Sequence, residues 1–240
     1  MNFNIRTKLV ALISSAVLFG LTTVSANAIS FGLGVSGGAT YADIKGTETM
    51  NTSGNTQSAE EGVAGATGSV YGAVMFMNER FGRGNGFAIG YEHYFGEASL
   101  KDQVRGSAES PIVDKFAVNT SGSGINKAEG TISNMRTYFI ETPGFTPMGI
   151  YFKAGMSSMD INTDEELHTG GSYGNGSVDG TVLGFGFKKT AENGLTLKSE
   201  FSTTDWDDIT LSNQTATQGA KNVKIEPEAW NFKFGVGWNF

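Results

Sequence analysis

The last eleven residues constrain this chain most. Trp230, Phe232, Phe234, Val236, Trp238 and Phe240 occupy every second position, and Asn231, Lys233, Gly235, Gly237 and Asn239 stand between them. Side chains of a β-strand alternate between two faces, so one face here is wholly apolar and the other small or polar. A soluble sandwich buries such a face against a second sheet. This row instead runs to the final residue with aromatics at both of its ends, as the two interfacial girdles of a membrane barrel require. Ile29, Phe31, Leu33, Val35, Ala39 and Tyr41 repeat the pattern against Ser30, Gly32, Gly34, Ser36, Gly38 and Thr40.

The opening segment reads differently. Arg6 and Lys8 precede an apolar run from Leu9 to Val24, and Ala26-Asn27-Ala28 follows. A charged start, a short apolar stretch and an A-x-A site predict a secretory signal peptide over residues 1–28, cleaved after Ala28 with Ala26 in the recognition site. The expected organisation is that leader followed by one barrel domain over 29–240. The whole chain has 17 Lys+Arg and 24 Asp+Glu. Without the leader's Arg6 and Lys8 the balance is 15 against 24, a net charge of −9. That acidity argues against a nucleic-acid partner. The chain has no cysteine, so disulfides and thiolate metal sites are excluded. Its 34 glycines and 4 prolines suit many closely approaching strands. Strands that cross lipid must close on themselves, because lipid offers no partner to a free N–H or C=O.

Six more strands are expected between the two ends, over 67–77, 86–95, 130–141, 149–159, 178–188 and 194–204. The first of these six is apolar on both faces and the third alternates weakly, so their facing stays open. Each approaches the roughly 9–11 residues that a tilted strand needs to cross a bilayer. The connections 78–85, 142–148 and 189–193 are short and carry turn residues. The connections 43–66, 96–129, 160–177 and 205–228 are long and polar. Three short turns and four long loops fit an all-β, antiparallel, up-and-down transmembrane β-barrel of eight strands. Its termini would be periplasmic and its long loops extracellular.

With the leader, the alternating last strand and the terminal Phe240 in place, the sequence resembles the small eight-stranded outer-membrane barrels of the OmpA and OmpX kind, porin-family surface barrels of the Gram-negative cell envelope. The resemblance implies that Phe232, Phe234, Val236, Trp238 and Phe240 form the signal read by the outer-membrane assembly machinery. It also implies outer-membrane lipids as surroundings. OmpA continues into a peptidoglycan-binding domain, and that function is not carried over.

The strand facings point Glu92, Lys153, Lys198, Glu200 and Lys233 into the barrel, with Arg136 expected to join them. Opposite charges in a narrow lumen should pair, because an isolated buried charge is costly. An eight-stranded interior is just wide enough for side chains, which favours filling over a solute path. Other motifs are weak. Gly32-x-Gly34-x-x-Gly37 lacks the helix that a dinucleotide site needs. Asp160-x-Asn162-x-Asp164 opens like a calcium loop, but Glu165 and Gly171 stand where Gly and Glu belong, leaving at most a loose cation site beside Glu166. His168 with Asp205, Asp207 and Asp208 invites comparison with outer-membrane proteases, and His93 is placed at the membrane border. No catalytic, metal or cofactor residue is assigned, and a non-enzyme is expected. The leading expectation is a structural or surface barrel whose loops contact an unidentified ligand. The alternatives are a narrow channel for small solutes and, last, an outer-membrane hydrolase.

Overall fold

The computed structural model describes residues 29–50, 56–77, 86–106, 125–145, 147–166, 173–213 and 221–240. The leader, with Ala26 and Ala28, and the predicted turn 78–85 lie outside the described residues. Ten strands follow in order: β1 (Ile29–Met50), β2 (Thr56–Met77), β3 (Gly86–Phe95), β4 (Ala98–Gly106), β5 (Ile125–Glu141), β6 (Ile150–Glu166), β7 (Gly176–Thr190), β8 (Leu195–Trp206), β9 (Ile209–Asn213) and β10 (Lys221–Asn239).

Eight of them form one antiparallel ring, β1-β2-β3-β5-β6-β7-β8-β10, closed by the β1–β10 ladder. The fold is therefore an all-β up-and-down barrel, as the sequence predicts. β4 and β9 are not extra staves. β4 resumes the course of β3 along β5 after a kink at Gly96, whose φ is +87°. β9 resumes the course of β8 along β10 beyond Asp207 and Asp208.

The tilt of the staves can be read from one row of partners. It leaves β1 at Leu33 and passes Gly72, Tyr91, Tyr138, Met156, Thr181, Asp205 and Glu228. It returns to β1 at Asp43, ten residues higher than it left. Such a stagger tilts every strand against the axis and leaves an interior that side chains alone can fill. The row also crosses the border of the outer apolar band, since its early members are apolar or aromatic and its last three are acids. Outward side chains of that band include Phe31 at 59 % exposure, Phe152 at 54 % and Phe234 at 60 %. In water such a surface would be ruinous, and in a bilayer it is the lipid-facing wall. The band begins near the chain ends, where Phe31 and Phe240 exchange backbone hydrogen bonds. That side is called the terminal end here, and the opposite side the far end.

Two features differ from the sequence expectation. First, the polar stretches 43–66, 96–129, 160–177 and 205–228 are not simply loops. The β1–β2 ladder continues to Thr49↔Thr56, and β4, β6, β7, β9 and β10 all enter stretches expected to be irregular. Beyond the band the outer face meets water and needs no apolar residue, so the sequence alternation fades while the ladder persists and inward residues such as Ile44, Ile161 and Leu211 stay buried. Second, β5 changes face at a bulge between Ser133 and Arg136, where Asn134 adopts φ +52°. An inserted residue swaps the faces of all that follows. Ile132 packs inward above the bulge, whereas Thr137 and Phe139 are the buried residues below it. That is why β5 alternates weakly in sequence. β2 resolves as Ser69 and Met75 buried, with Val70 facing out.

Small residues let neighbouring strands approach. Gly38 shows why: a Cβ there would stand 1.9 Å from the Phe232 carbonyl oxygen across the closing ladder.

Candidate functional site

The lumen holds the site. Four strands supply its middle layer. Glu92 projects from β3, Lys153 from β6, Glu200 from β8 and Lys233 from β10, each between residues of opposite facing on its own strand. All four are at most 5 % exposed. Lys153 Nζ lies 2.8 Å from Glu92 Oε2 and 3.0 Å from Glu200 Oε1. Lys233 Nζ lies 2.7 Å from Glu92 Oε1 and 3.2 Å from Glu200 Oε1. Two ammonium groups and two carboxylates thus form a closed square in which every charge touches two opposite charges.

The remaining lone pairs are also engaged. Ser69 donates to Glu92 Oε1 at 2.6 Å, and Tyr151 donates to Glu200 Oε2 at 2.9 Å. Lys233 also donates to the Tyr94 hydroxyl at 2.9 Å. Lys153 stands 4.5 Å from the centre of the Phe139 ring, which adds cation–π attraction. This saturation is what allows the charges to persist at such burial, because a buried pair repays its desolvation only when the other hydrogen-bonding sites are filled.

A second group lies nearer the terminal end. Glu141 of β5 accepts from Lys198 of β8, and Lys188 of β7 stands 3.6 Å from the same carboxylate. Lys188 also donates to the Thr142 carbonyl oxygen at 3.1 Å. Tyr71 and Phe139 separate the two groups. Cavities of about 20 Å³ and 30 Å³ flank this partition, both lined by Tyr71, Phe139 and Lys198. Each is of the size that holds a water or two, since a single water needs about 10–15 Å³ by this measure. Toward the far end Met159, Ile161, Val178 and Trp206 of β6, β7 and β8 form one buried apolar cluster.

Of the six charges expected in the lumen, the structure brings five there: Glu92, Lys153, Lys198, Glu200 and Lys233. Arg136 is not among them. It shares the outward face with Tyr138, is exposed, and donates through Nε to Ser158 Oγ at 2.8 Å. The face swap at the bulge is the reason, because reading back from inward Ile132 gives the wrong side. Two lumen charges escape the sequence reading. Glu141 and Lys188 stand next to predicted turns, where alternation gives way, although Lys188 does continue the inward series Val182, Gly184, Gly186.

The weaker motifs separate in space. Asp160, Asn162 and Asp164 lie on the straight run of β6, where Asn134 donates to Asp160 at 2.9 Å and Asn162 donates to Ser133 at 3.1 Å. A strand spreads these ligands along a line instead of wrapping them round an ion. Glu165 and Glu166 continue the same strand. Among the described residues no group of three or more His, Asp or Glu side chains could hold a metal. His168 lies outside the described residues. His93 is half-buried on the outer wall with its ring edge-on to Phe95 at 6.2 Å.

Comparison with known proteins adds the fold and nothing finer. No protein family and no curated protein matches the sequence. Among solved structures the chain is similar to the outer membrane protein OprG from Pseudomonas aeruginosa, with 14 % identity, 89 % of this chain and 96 % of that one covered, and a TM-score of 0.54. It also aligns with the outer membrane protease OmpT from Escherichia coli at 8 % identity, 88 % and 97 % coverage and a TM-score of 0.45. The attachment invasion locus protein Ail of Yersinia pestis aligns at 9 % identity, 86 % and 99 % coverage and a TM-score of 0.34. The closed ring, its exposed apolar band and the OprG likeness together give the chain the fold of the outer-membrane β-barrels.

Proposed function

We propose that this protein is a non-enzymatic barrel of the Gram-negative outer membrane, with a structural and surface role. Its termini face the periplasm and its far-end ladders face outward. The observation that carries this reading is the lumen. Its charged square is saturated, the cavities beside it are water-sized, and a buried apolar cluster lies toward the far end, so the interior serves as a core. The ladders that outlast the apolar band then form the part available to an external ligand. The last strand, from Phe232 to Phe240, serves assembly, and lipid covers the band.

Replacing the far-end portion of the β1–β2 hairpin with a tight turn tests this. The shortened protein should still insert and show heat-modifiable gel migration, and should lose binding to cell surfaces. Failure to insert would count against a surface role for the hairpin.

A narrow channel is the second reading. It is favoured by the paired cavities on either side of Lys198, which lie along the barrel interior. Single-channel recording on folded protein decides between them. A silent bilayer supports the filled core, and a current altered by Lys198→Ala or Glu200→Ala supports the channel.

A further inference from the structure

Among the described residues every ammonium of the lumen has a carboxylate partner, whereas Arg136, on the opposite side of the wall, forms no ion pair with any of them. The bulge that holds Asn134 at φ +52° leaves the guanidinium exposed on the outer surface. A strained non-glycine residue at a bulge marks a position the fold maintains against a cost. Just below Arg136 on the same face, Tyr138 packs against Tyr91 with ring centres 5.1 Å apart, and Tyr138 is 64 % exposed. Tyrosine rings of this kind sit at headgroup level in membrane proteins. Beside Arg136 in register stand His93 on β3 and Ser158 on β6. Ser158 accepts from Nε, and among the described residues the two terminal nitrogens of the fork form no hydrogen bond.

Carboxylates are near but do not neutralise it. Asp160 follows two positions beyond Ser158, and its carboxylate is engaged by Asn134. Asp179 lies opposite Ser158 in register. Among the described residues neither forms an ion pair with Arg136. Farther round the barrel, where the row of partners has climbed past the band, Asp205, Glu228 and Asp43 are successive acids. Arg136 is therefore a single exposed guanidinium on the β3–β5–β6 arc, set among Asp160 and Asp179, and what it offers an anion is its fork at short range, not a positive field.

We propose that the arc formed by Arg136, Ser158 and His93, above the Tyr91–Tyr138 pair, is a binding site for the phosphate of an anionic lipid headgroup at the far border of the membrane. The fork of an arginine matches phosphate oxygens in a bidentate manner. The adjoining tyrosines and Met156 provide apolar wall for the acyl chains. A charged side chain on a barrel's outer wall is costly at mid-membrane and nearly free at the border, so the residue belongs at headgroup height. This inference rests on the membrane-barrel reading.

The test is native mass spectrometry of the folded protein released from bilayer discs containing phosphatidylglycerol and phosphatidylcholine. The wild type should retain phosphatidylglycerol preferentially. Arg136→Gln should weaken that preference about tenfold, the loss expected for hydrogen bonds to a charged group. Arg136→Lys should keep part of it, and Ser158→Ala should weaken it less than Arg136→Gln. An excess of inorganic phosphate should not abolish it. Equal retention by wild type and Arg136→Gln overturns the proposal. Full displacement by inorganic phosphate also overturns it, because the site would then hold a free anion and not a lipid. Heat-modifiable migration is measured on the same samples. A wild type that fails to insert overturns the barrel reading together with this one, whereas insertion without headgroup preference overturns this inference alone.

Discussion

Two lysines of this barrel each sit between two carboxylates, and they teach opposite lessons. Lys153 bridges Glu92 and Glu200 at 2.8 Å and 3.0 Å with side-chain exposures of 2 %, 3 % and 6 %. Lys224 bridges Asp208 and Glu226 at 2.8 Å and 2.7 Å with exposures of 45 %, 53 % and 46 %. The local geometry is nearly the same. Water solvates the far-end trio whether or not it is paired, so pairing there changes little. In the lumen bulk water does not reach the charges, so each becomes obligatory once the others are present.

The largest effect expected from this contrast is Lys153→Met, which leaves two buried carboxylates to share Lys233. Urea unfolding in bilayers should show a loss of about 3–5 kcal/mol. Pairing that change with Glu200→Gln should recover much of the loss, because removing both signs avoids the stranded charge. If the double variant is no better than the single one, packing and not charge explains the site. Tyr151→Phe tests the same region more gently. It removes the donor to Glu200 and should cost about 2 kcal/mol, the scale of a hydrogen bond to an ion. Lys224→Met should leave the unfolding midpoint unchanged. The bonds from Lys224 to Asp208 and Glu226 hold its ammonium above the ordinary pKa, so whatever they contribute is present at neutral pH and fades only in strong alkali as that group deprotonates. A clear midpoint shift at neutral pH for Lys224→Met would erase the distinction between the two regions.

The contrast also explains what the sequence discloses. Where lipid covers one face and a packed lumen the other, alternation is forced. The facing of Glu92, Lys153, Lys198, Glu200 and Lys233 follows from counting by two. Arg136 breaks the count because a bulge inserts a residue, and no composition signal marks it beyond the unsettled alternation of β5. Glu141 and Lys188 escape because each is the last residue of its predicted strand, beside a turn where alternation gives way. The far-end ladders escape for a different reason. Thr, Ser and Gly in water satisfy a strand without any apolar period, so nothing in 43–66 distinguishes β1 and β2 from a loop. Which charge meets which is also invisible in one dimension, because the square joins β3, β6, β8 and β10 through a stagger that only the closed ring defines.

The β1–β10 seam has a consequence for the life of the chain before it is a barrel. Gly32 meets Asn239 across it, partners from opposite extremes of the described polypeptide. Contacts so distant in sequence form slowly. Until they form, the growing sheet carries two naked edges that will accept any strand, including one from a neighbouring copy. The hazard of self-association is therefore concentrated in the interval before the ends meet, and a chaperone that shields either edge would protect the whole molecule.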